Sequence, residues 1–413
     1  MKKYLNSYFD NFKGFSREVW VLTLITYINR TGAMVMPFLT KYLSENFYFD
    51  ITEIGWMLAC IGGGSLAGSW LSGKLTDKIG FYTIMLSSLF LTGFGIIALM
   101  FLYDFTELCI GLFVITAIAD MYKPAMYVAV SHFTTDETRT RALTLIRLAV
   151  NLGIVSGPMI AGLLIRDRNY DLLFWIDGLT CVIAISTFML LIDESKIYKA
   201  RKKIQRSKKQ KEIILENNKY DSNFILFLFA SFITAFLFFQ LFTTIPLYNT
   251  QKLNLSEFQI GMLLSLNGLL IFLFEMPLIG YLEKMKYEAT KIILAGSIFM
   301  TTGFFCLLIS KSIGVMAISI TFITMGQILL FSFSNTFAFT RALKGHEGKY
   351  MALYTMSFSV AQITSPKIGL TVIKSFSYFS NWLLMGVVGL IGISLYYLLD
   401  KKVKMEAIQK NIT

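Results

Sequence analysis

Long apolar runs, separated by short polar segments, recur along the whole sequence. Most contain about 20 residues, the helix length that crosses the ~30 Å hydrocarbon core of a bilayer. Segments of about 10 residues with alternating polarity, typical of membrane β-barrels, are not seen. The pattern therefore predicts an all-α membrane protein with twelve transmembrane helices. Their expected positions are residues 18–40, 53–73, 82–103, 108–131, 142–165, 171–192, 223–248, 257–281, 290–310, 312–336, 349–373 and 380–400.

The composition supports this interpretation. Of the 413 residues, 55% are hydrophobic and 15% are charged, and the mean hydropathy is +0.60. Ordinary soluble domains do not reach these values. The N-terminal arm lacks the short apolar core and small-residue cleavage site of a removed signal peptide, so the first helix is expected to stay in the mature protein.

Lysine and arginine are divided unequally between the two sides of this topology. Of the 38 in the chain, 28 fall on the side of the termini and 6 on the opposite side. Since cytoplasmic loops carry the excess of basic residues, both termini are expected in the cytoplasm, with the helices in the inner membrane. The longest basic stretch, 193–222, suits topology and anionic lipid headgroups better than nucleic acid.

The two halves of the chain resemble each other. Ile54-Gly55 aligns with Ile260-Gly261, and the segment around Pro158 aligns with that around Pro366, at an offset of 206 to 208 residues. Two six-helix units of the same orientation imply a central cavity between them. The expected division is an N-terminal six-helix bundle at 1–192, a basic cytoplasmic linker at 193–222, a C-terminal six-helix bundle at 223–400 and a cytoplasmic tail at 401–413.

The loop after the second span reads GKLTDKIG from Gly73 to Gly80. It resembles the loop signature of the major facilitator superfamily, although the two residues after Gly80 are not basic as in that signature. Glycine lets helix ends approach closely, Asp77 can meet a helix N-terminus or an arginine, and Lys78 can pair nearby. The second half carries only a worn copy, at Gly280–Lys284. The resemblance covers the whole chain and implies the major facilitator fold of two pseudo-symmetric six-helix bundles.

The fifth span reads NLGIVSGPMIAG from Asn151 to Gly162 and resembles a motif of the drug/proton antiporter branch of that superfamily, with Ala161 in place of one glycine. Small residues allow close helix contact and proline bends a helix, although any tightly packed span has the same need for small residues. The residues assigned to this bend are Gly153, Gly157, Pro158 and Gly162.

The loop at 134–142 is similar to the family's loop between the fourth and fifth spans. The resemblance implies cytoplasmic gate pairs that form in only one conformational state. The residues assigned to these pairs are Asp136, Glu137, Arg139 and Arg141.

Seven ionisable residues fall within the predicted spans, where an unpaired charge is costly and each is therefore a functional candidate. They are Arg30, Asp120, Lys123, Arg147, Asp177, Glu275 and Lys367. Asp120 and Lys123 are three residues apart and can neutralise each other on one helix face. Equally, the resemblance implies that the first and fourth helices line the cavity, which would let Arg30 meet Asp120 and tune its proton affinity.

Glu275 has no charged neighbour in sequence, which suits a proton carrier, but it lies near the cytoplasmic end of its span, where hydration is an alternative. Asp177 is expected at a helix end facing water.

Polar side chains in the spans are candidates for lining the substrate cavity. They are Tyr27, Asn29, Arg30, Lys123, Arg147, Gln240, Asn267, Gln327, Asn335, Gln362 and Lys367.

Cysteine and histidine give no sign of a metal or redox centre. The four cysteines are scattered singly through apolar runs, and both histidines fall in predicted loops. Neither spacing is typical of a metal site or a disulfide framework, so no cofactor is expected.

The expected function is secondary active transport, namely proton-coupled efflux of small lipophilic or amphipathic compounds by alternating access. Asp120 and Glu275 are the expected proton sites. The alternative is a proton-coupled importer of small peptides or organic anions, which the excess of intramembrane cations favours. An enzyme or a receptor is disfavoured, because no nucleotide-binding loop or catalytic triad spacing is present.

The expected partners are a small-molecule substrate, protons and the lipid bilayer, but no nucleic acid, and the chain is expected to act as a monomer.

Overall fold

A computed structural model describes residues 13–49, 51–135, 137–164, 170–192, 221–255, 257–285, 287–343 and 346–412. These residues form α-helices joined by short turns, and none of the described residues is in a β-strand. The helices of the first half are α1 (Arg17–Gly32), α2 (Val35–Asn46), α3 (Ile51–Ile79), α4 (Phe81–Ala98), α5 (Phe105–Asp120), α6 (Tyr122–His132), α7 (Arg139–Leu164) and α8 (Asp171–Leu191).

The second half repeats this arrangement with one helix fewer. Its helices are α9 (Ser222–Gln240), α10 (Thr244–Gln251), α11 (Glu257–Lys284), α12 (Ala289–Cys306), α13 (Ile313–Thr340), α14 (Glu347–Ser375) and α15 (Tyr378–Ile412). Helix α15 continues past residue 400, so most of the predicted tail is helical. Of the predicted linker, residues 193–220 lie outside the described residues.

Nine helical segments among the described residues are long and apolar enough to cross a membrane. Two of the nine combine consecutive helices, α5 with α6 and α9 with α10. The segments α1–α2, α7 and α14 are not among the nine.

Three of the predicted spans are interrupted. The first is divided between α1 and α2 at residues 33–34, the fourth between α5 and α6 at Met121, and the seventh between α9 and α10 at residues 241–243. The break at Met121 has a direct cause, because Pro124 has no amide hydrogen to donate to the carbonyl of Asp120. Interrupted spans expose backbone groups within the membrane and are therefore typical of functional regions.

The buried apolar residues separate by half of the chain. One cluster draws its buried members from 224–399, and two others draw theirs from 19–192, with Met276 as the one contribution from the second half. The packing also repeats: α1 packs on α7 and α8 as α9 packs on α14 and α15, and α3 packs on α5 as α11 packs on α13. This repetition is what a duplicated sequence predicts.

Two symmetric helix contacts join the halves. Helix α3 packs on α14, and α11 packs on α7. In each contact a helix of one half ends where a helix of the other half begins, at Ile79 with Glu347 and at Lys284 with Arg139. We call this end of the molecule the linker end, because α9, which follows residues 193–220 in the chain, also begins there.

Candidate functional site

The signature Gly73–Gly80, at the C-terminal end of α3, joins the two halves at the linker end. The Asp77 carboxylate accepts hydrogen bonds from the backbone amides of Gly348 (2.8 Å) and Lys349 (3.0 Å), in the first turn of α14. The first amides of a helix have no partner within the helix and carry partial positive charge, so they suit a carboxylate. A Cβ at Gly73 would lie 2.5 Å from the Ala352 Cβ, which explains the glycine there.

Two other residues of the signature lie at the turn into α4. Gly80 has a φ of +97° and precedes the first residue of α4, a conformation that a residue with a side chain rarely adopts. Lys78 is exposed in the last turn of α3. The signature therefore fixes both the sharp turn between α3 and α4 and the contact of α3 with α14.

The worn second copy of the signature makes the symmetric contact. Glu283, 206 residues after Asp77, accepts a hydrogen bond from the Arg141 amide (3.2 Å) near the start of α7. Its other oxygen pairs with the Arg141 guanidinium, with Nε and Oε2 2.8 Å apart. Sequence reasoning missed Glu283, although the repeat offset applied to Asp77 would have found it. Both halves thus place a carboxylate on a helix N-terminus of the other half.

The other residues assigned to the gate have different surroundings. The Arg139 side chain is buried and its guanidinium lies 4.4 Å from the centroid of the Phe339 ring. Glu137 is exposed, and Asp136 lies outside the described residues. Among these residues, Arg141 forms the ion pair with Glu283 that joins the halves.

Deeper in the molecule, a buried ion pair joins the halves. Glu275 of α11 is 0% exposed, and its Oε1 lies 2.5 Å from Nη2 of Arg147 on α7. Ser332 of α13 donates to the same oxygen (3.2 Å), and Arg147 Nη1 donates to the Gln327 carbonyl (3.1 Å). Glu275 therefore has no charged neighbour in the sequence but has one in the folded protein. The sequence did not reveal the pair, because 128 residues separate its members.

Asp120, at the end of α5, lies where α3, α5 and α14 meet. Its Oδ1 is 2.7 Å from Lys123 Nζ, so the two residues neutralise each other on one helix face. Ser65 of α3 donates a hydrogen bond to the other carboxylate oxygen and lies 3.1 Å from the Ser359 hydroxyl of α14. The expected pair of Arg30 with Asp120 is not found among the described residues, since Lys123 takes that place.

Arg30 lies instead on the contact between α1 and α7. A Cβ at Gly153 would lie 2.5 Å from the Arg30 Cβ, and one at Gly157 would lie 2.8 Å from the Thr31 carbonyl oxygen. Both motif glycines therefore let α7 approach the backbone of α1. Pro158 and Gly162 follow in α7, but their surroundings lie outside what the structure describes.

Four of the predicted cavity residues are buried, and three of them, Gln240, Asn267 and Gln327, join helices. Gln240 donates to the Ser365 carbonyl (2.8 Å), Asn267 donates to Thr324 Oγ1 (2.8 Å) and to Gln327 Oε1 (3.1 Å), and Asn335 donates to the Phe331 carbonyl (2.9 Å). Their exposed fractions are 0% for Gln240, 7% for Asn267, 4% for Gln327 and 7% for Asn335. Since their surfaces are covered, Gln240, Asn267 and Gln327 hold helices together in this structure, and the cavity role of the four residues stays a prediction.

The remaining candidates are at least partly exposed. Tyr27, Gln362 and Lys367 are exposed, whereas Asn29 is half-buried and donates to Cys181 Sγ (3.3 Å). Asp177 differs from expectation, because it is 3% exposed and accepts a hydrogen bond from the Val35 amide (3.3 Å). It therefore caps α2 at the break in the first span and does not face water.

Comparison with known proteins identifies the family. Residues 19–366 match the Major Facilitator Superfamily. Over 394 residues, 94% of this chain and 96% of the relative, the protein is 24% identical to the uncharacterized MFS-type transporter YttB of Bacillus subtilis (strain 168). It is 19% identical to a Na⁺, Li⁺, K⁺/H⁺ antiporter of Planococcus maritimus, covering 91% of this chain and 95% of the relative. It is 25% identical to the class H tetracycline resistance protein of Pasteurella multocida, over 69% of this chain and 72% of the relative.

Solved structures show the same fold. The human organic anion transporter MFSD10 (TETRAN) matches 92% of this chain and 100% of its own with a TM-score of 0.74 and 13% identity. A bacterial homologue of the iron transporter ferroportin matches 94% of this chain and 100% of its own, with a TM-score of 0.73 and 16% identity. Because the family match spans most of the chain, the protein belongs to the Major Facilitator Superfamily and is a multi-pass membrane transporter of small molecules.

Proposed function

We propose that the protein exports small lipophilic or amphipathic compounds in exchange for protons, by alternating access of a cavity between its halves. The observation that carries this proposal is the buried Arg147–Glu275 pair. The Glu275 carboxylate is 0% exposed and is paired with an arginine of the other half. Protonation of Glu275 therefore changes the contact between the two halves.

The proton acts on the linker end through this pair. Protonation of Glu275 removes its negative charge, so the attraction between α11 and α7 is lost. Arg147 is then buried without a counter-charge, which is strongly unfavourable unless water reaches it. Opening of the linker end supplies that water, and release of the proton restores the pair and closes this end.

Asp120 is the second proposed proton site. Its carboxylate is bonded to Ser65 of the first half, which in turn contacts Ser359 of the second half. Lys123 neutralises Asp120 when the latter is charged. Protonation would release Lys123 and loosen the contact of α3 with α14, so both proposed proton sites lie at contacts between the halves.

The proposed topology counts α1–α2, α5–α6 and α9–α10 as single interrupted spans, which gives twelve. The proposed units are bundles at 1–192 and 223–400, a basic linker at 193–222 and a tail at 401–413. The linker end is placed in the cytoplasm with both termini because it carries most of the basic residues, and the membrane is the inner membrane of the cell. We propose that one chain acts alone.

Two relatives agree with efflux coupled to protons. One is named a cation/H⁺ antiporter and the other a tetracycline resistance protein. Their identity to this chain is low, so they support the class of transport and leave the compound to experiment.

The test uses proteoliposomes that contain a pH-sensitive dye. Amphipathic compounds of different charge are added to liposomes with wild-type protein, Glu275→Gln or Asp120→Asn. We expect at least one compound to move protons through the wild type and about tenfold less or no proton movement through Glu275→Gln. Equal proton movement through the wild type and both variants would show that these carboxylates are structural.

The alternative, a proton-coupled importer of small peptides or organic anions, is favoured by one observation. Among the described residues Arg30 has no ion-pair partner within the spans, whereas Lys123 and Arg147 are paired. Cells that carry the gene separate the two functions, because an importer makes them accumulate the compound and an exporter makes them exclude it.

A further inference from the structure

Two of the four cations in the predicted spans, Arg30 and Lys367, have no ion-pair partner among the described residues, and Lys367 is exposed. Lys123 pairs with Asp120 and Arg147 pairs with Glu275. The remaining carboxylate, Asp177, is bonded to the Val35 amide at the break between α1 and α2. Among the described residues the Arg30 side chain makes neither an ion pair nor a hydrogen bond.

An arginine at this depth normally has a partner. Guanidinium groups carry five donors in a planar fork, and charges within a bilayer are paired or hydrated. Asp177 is close enough for its charge to interact with that of Arg30, but no ion pair joins them. Arg30 is half-buried, so the guanidinium is not sealed inside the protein.

The position of Arg30 is fixed by its neighbours. The glycines at 153 and 157 hold the backbone of α1 at Arg30 and Thr31 against α7. Tyr122 and Tyr127 of α6 lie within electrostatic range of the guanidinium, and Tyr122 is bonded to Thr26 of α1 (3.4 Å). The backbone at Arg30 is thus held at a close contact of α1 with α7, which positions the start of the side chain as a binding group requires.

An aromatic surface lies next to this cation. Tyr27 precedes Arg30 by three residues, so the two side chains lie on the same face of α1. Tyr27 is 38% exposed, which leaves its ring available to an apolar group. Within one turn of α1, the Arg30 guanidinium can donate a charge-assisted hydrogen bond and the Tyr27 ring can contact an apolar group.

We propose that Arg30 is an anion-binding subsite, and that the transported solute is an amphipathic organic anion whose carboxylate or sulfonate binds Arg30 while its aromatic body contacts Tyr27. This inference rests on the proposed transport function and names the chemical class of its solute. The bound anion supplies the ion-pair partner that Arg30 lacks among the described residues.

The test measures binding to the full-length protein in detergent. The probes are radiolabelled 1-naphthoate and a naphthyl trimethylammonium compound of similar size, which differ mainly in the sign of their charge. We expect Arg30→Gln to weaken naphthoate binding about tenfold or more, and Arg30→Lys to weaken it less. The control Lys374→Gln, an exposed cation at the end of α14, should stay within about twofold of wild type.

The competition experiment needs no variant. On the wild-type protein, unlabelled naphthalene sulfonate should displace naphthoate and the trimethylammonium compound should not. Equal displacement by both, or equal naphthoate binding by wild type and Arg30→Gln, overturns the proposal. Absence of naphthoate binding to the wild type overturns it as well.

Failure here is distinguishable from failure of the proposed transport function. If Arg30→Gln still moves protons when a cationic amphipathic compound is added, export coupled to protons stands and the anion subsite is wrong. If naphthoate binding depends on Arg30 but no compound moves protons, the subsite stands and the coupling is wrong.

Discussion

At the residue scale, the contact of the halves depends on a few charged side chains in different environments. Glu275 is fully buried against Arg147 of the other half, whereas Arg341 near the linker end pairs with Asp221 and Glu406 within the second half, in a partly exposed setting. Exposed pairs are worth about 0–1 kcal/mol, but breaking a buried pair costs several times more. The Arg147–Glu275 pair is therefore the one whose charge state governs the contact.

The first prediction concerns this pair. Replacing one member, as in Glu275→Leu or Arg147→Met, leaves a buried charge alone and should destabilise the protein by about 3–5 kcal/mol. The double variant removes both charges and should return close to wild-type stability. Thermal unfolding of the purified variants measures this. Additive losses in the double variant would show that the two side chains do not interact.

The second prediction concerns Asp77. Asp77→Ala removes the acceptor for two amides at the start of α14, which should cost about 1 kcal/mol and lower the midpoint of thermal unfolding. Glu107→Ala is the control, because this carboxylate is exposed in the first turn of α5. An equal shift of the two midpoints would contradict the role of Asp77 as a cap for α14.

The sequence was informative about these residues to different degrees. The signature around Asp77 indicated two possible partners, a helix N-terminus or an arginine, and the structure shows the helix N-terminus. The partner of Glu275 could not be read, since pairing across 128 residues depends on how two halves dock. Asp177 was expected to face water because it lies near a predicted helix end. The break at residues 33–34 instead leaves the Val35 amide without a partner in its own helix, and Asp177 accepts a hydrogen bond from it.

At the element scale, the contact of α1 with α7 depends on small residues. The glycines at 153 and 157 meet the backbone of α1 directly, so there is no room for a side chain at either position. The small residues of this segment were evident in the sequence. The identity of the helix that they contact was not, because spacing along α7 does not name its neighbour.

The third prediction follows from this contact. Gly153→Ala places a methyl group 2.5 Å from the Arg30 Cβ and should destabilise the protein by about 1–3 kcal/mol and reduce transport. Gly55→Ala is a matched control, because an added Cβ there meets no atom within 4 Å. In a helix that change should be neutral or stabilising by about 0.5–1 kcal/mol. Equal effects of the two substitutions on thermal unfolding would contradict close packing at Gly153.

The interruptions of the helices were less predictable than the helices. Apolar runs of about 20 residues marked the spans, because length and hydropathy suffice for that. The break between α1 and α2 precedes Pro37, which has no amide hydrogen to donate to the Ala33 carbonyl, as Pro124 has none for Asp120. The cap that Asp177 of α8 supplies at this break is a tertiary contact that the local sequence does not contain.

At the scale of the whole molecule, the duplicated sequence gives duplicated contacts between the halves. Asp77 binds the start of α14, and Glu283 binds the start of α7. Both contacts lie at the linker end, with the Arg147–Glu275 pair deeper in the same region. In this structure the linker end is therefore held closed from both halves, and its opening requires the loss of symmetric contacts.

The measurement that tests the central claim most directly is the distance across the linker end as a function of the charge on Glu275. The four native cysteines, which form no disulfide, are replaced, and spin labels are placed at the exposed positions Glu137 and Leu343. Pulsed electron spin resonance then records the distance distribution in liposomes for the wild type and for Glu275→Gln, which is neutral at every pH. The account predicts one short distance for the wild type at neutral pH and a second, longer population for Glu275→Gln at the same pH. Identical distributions for the two proteins at all pH values would contradict it.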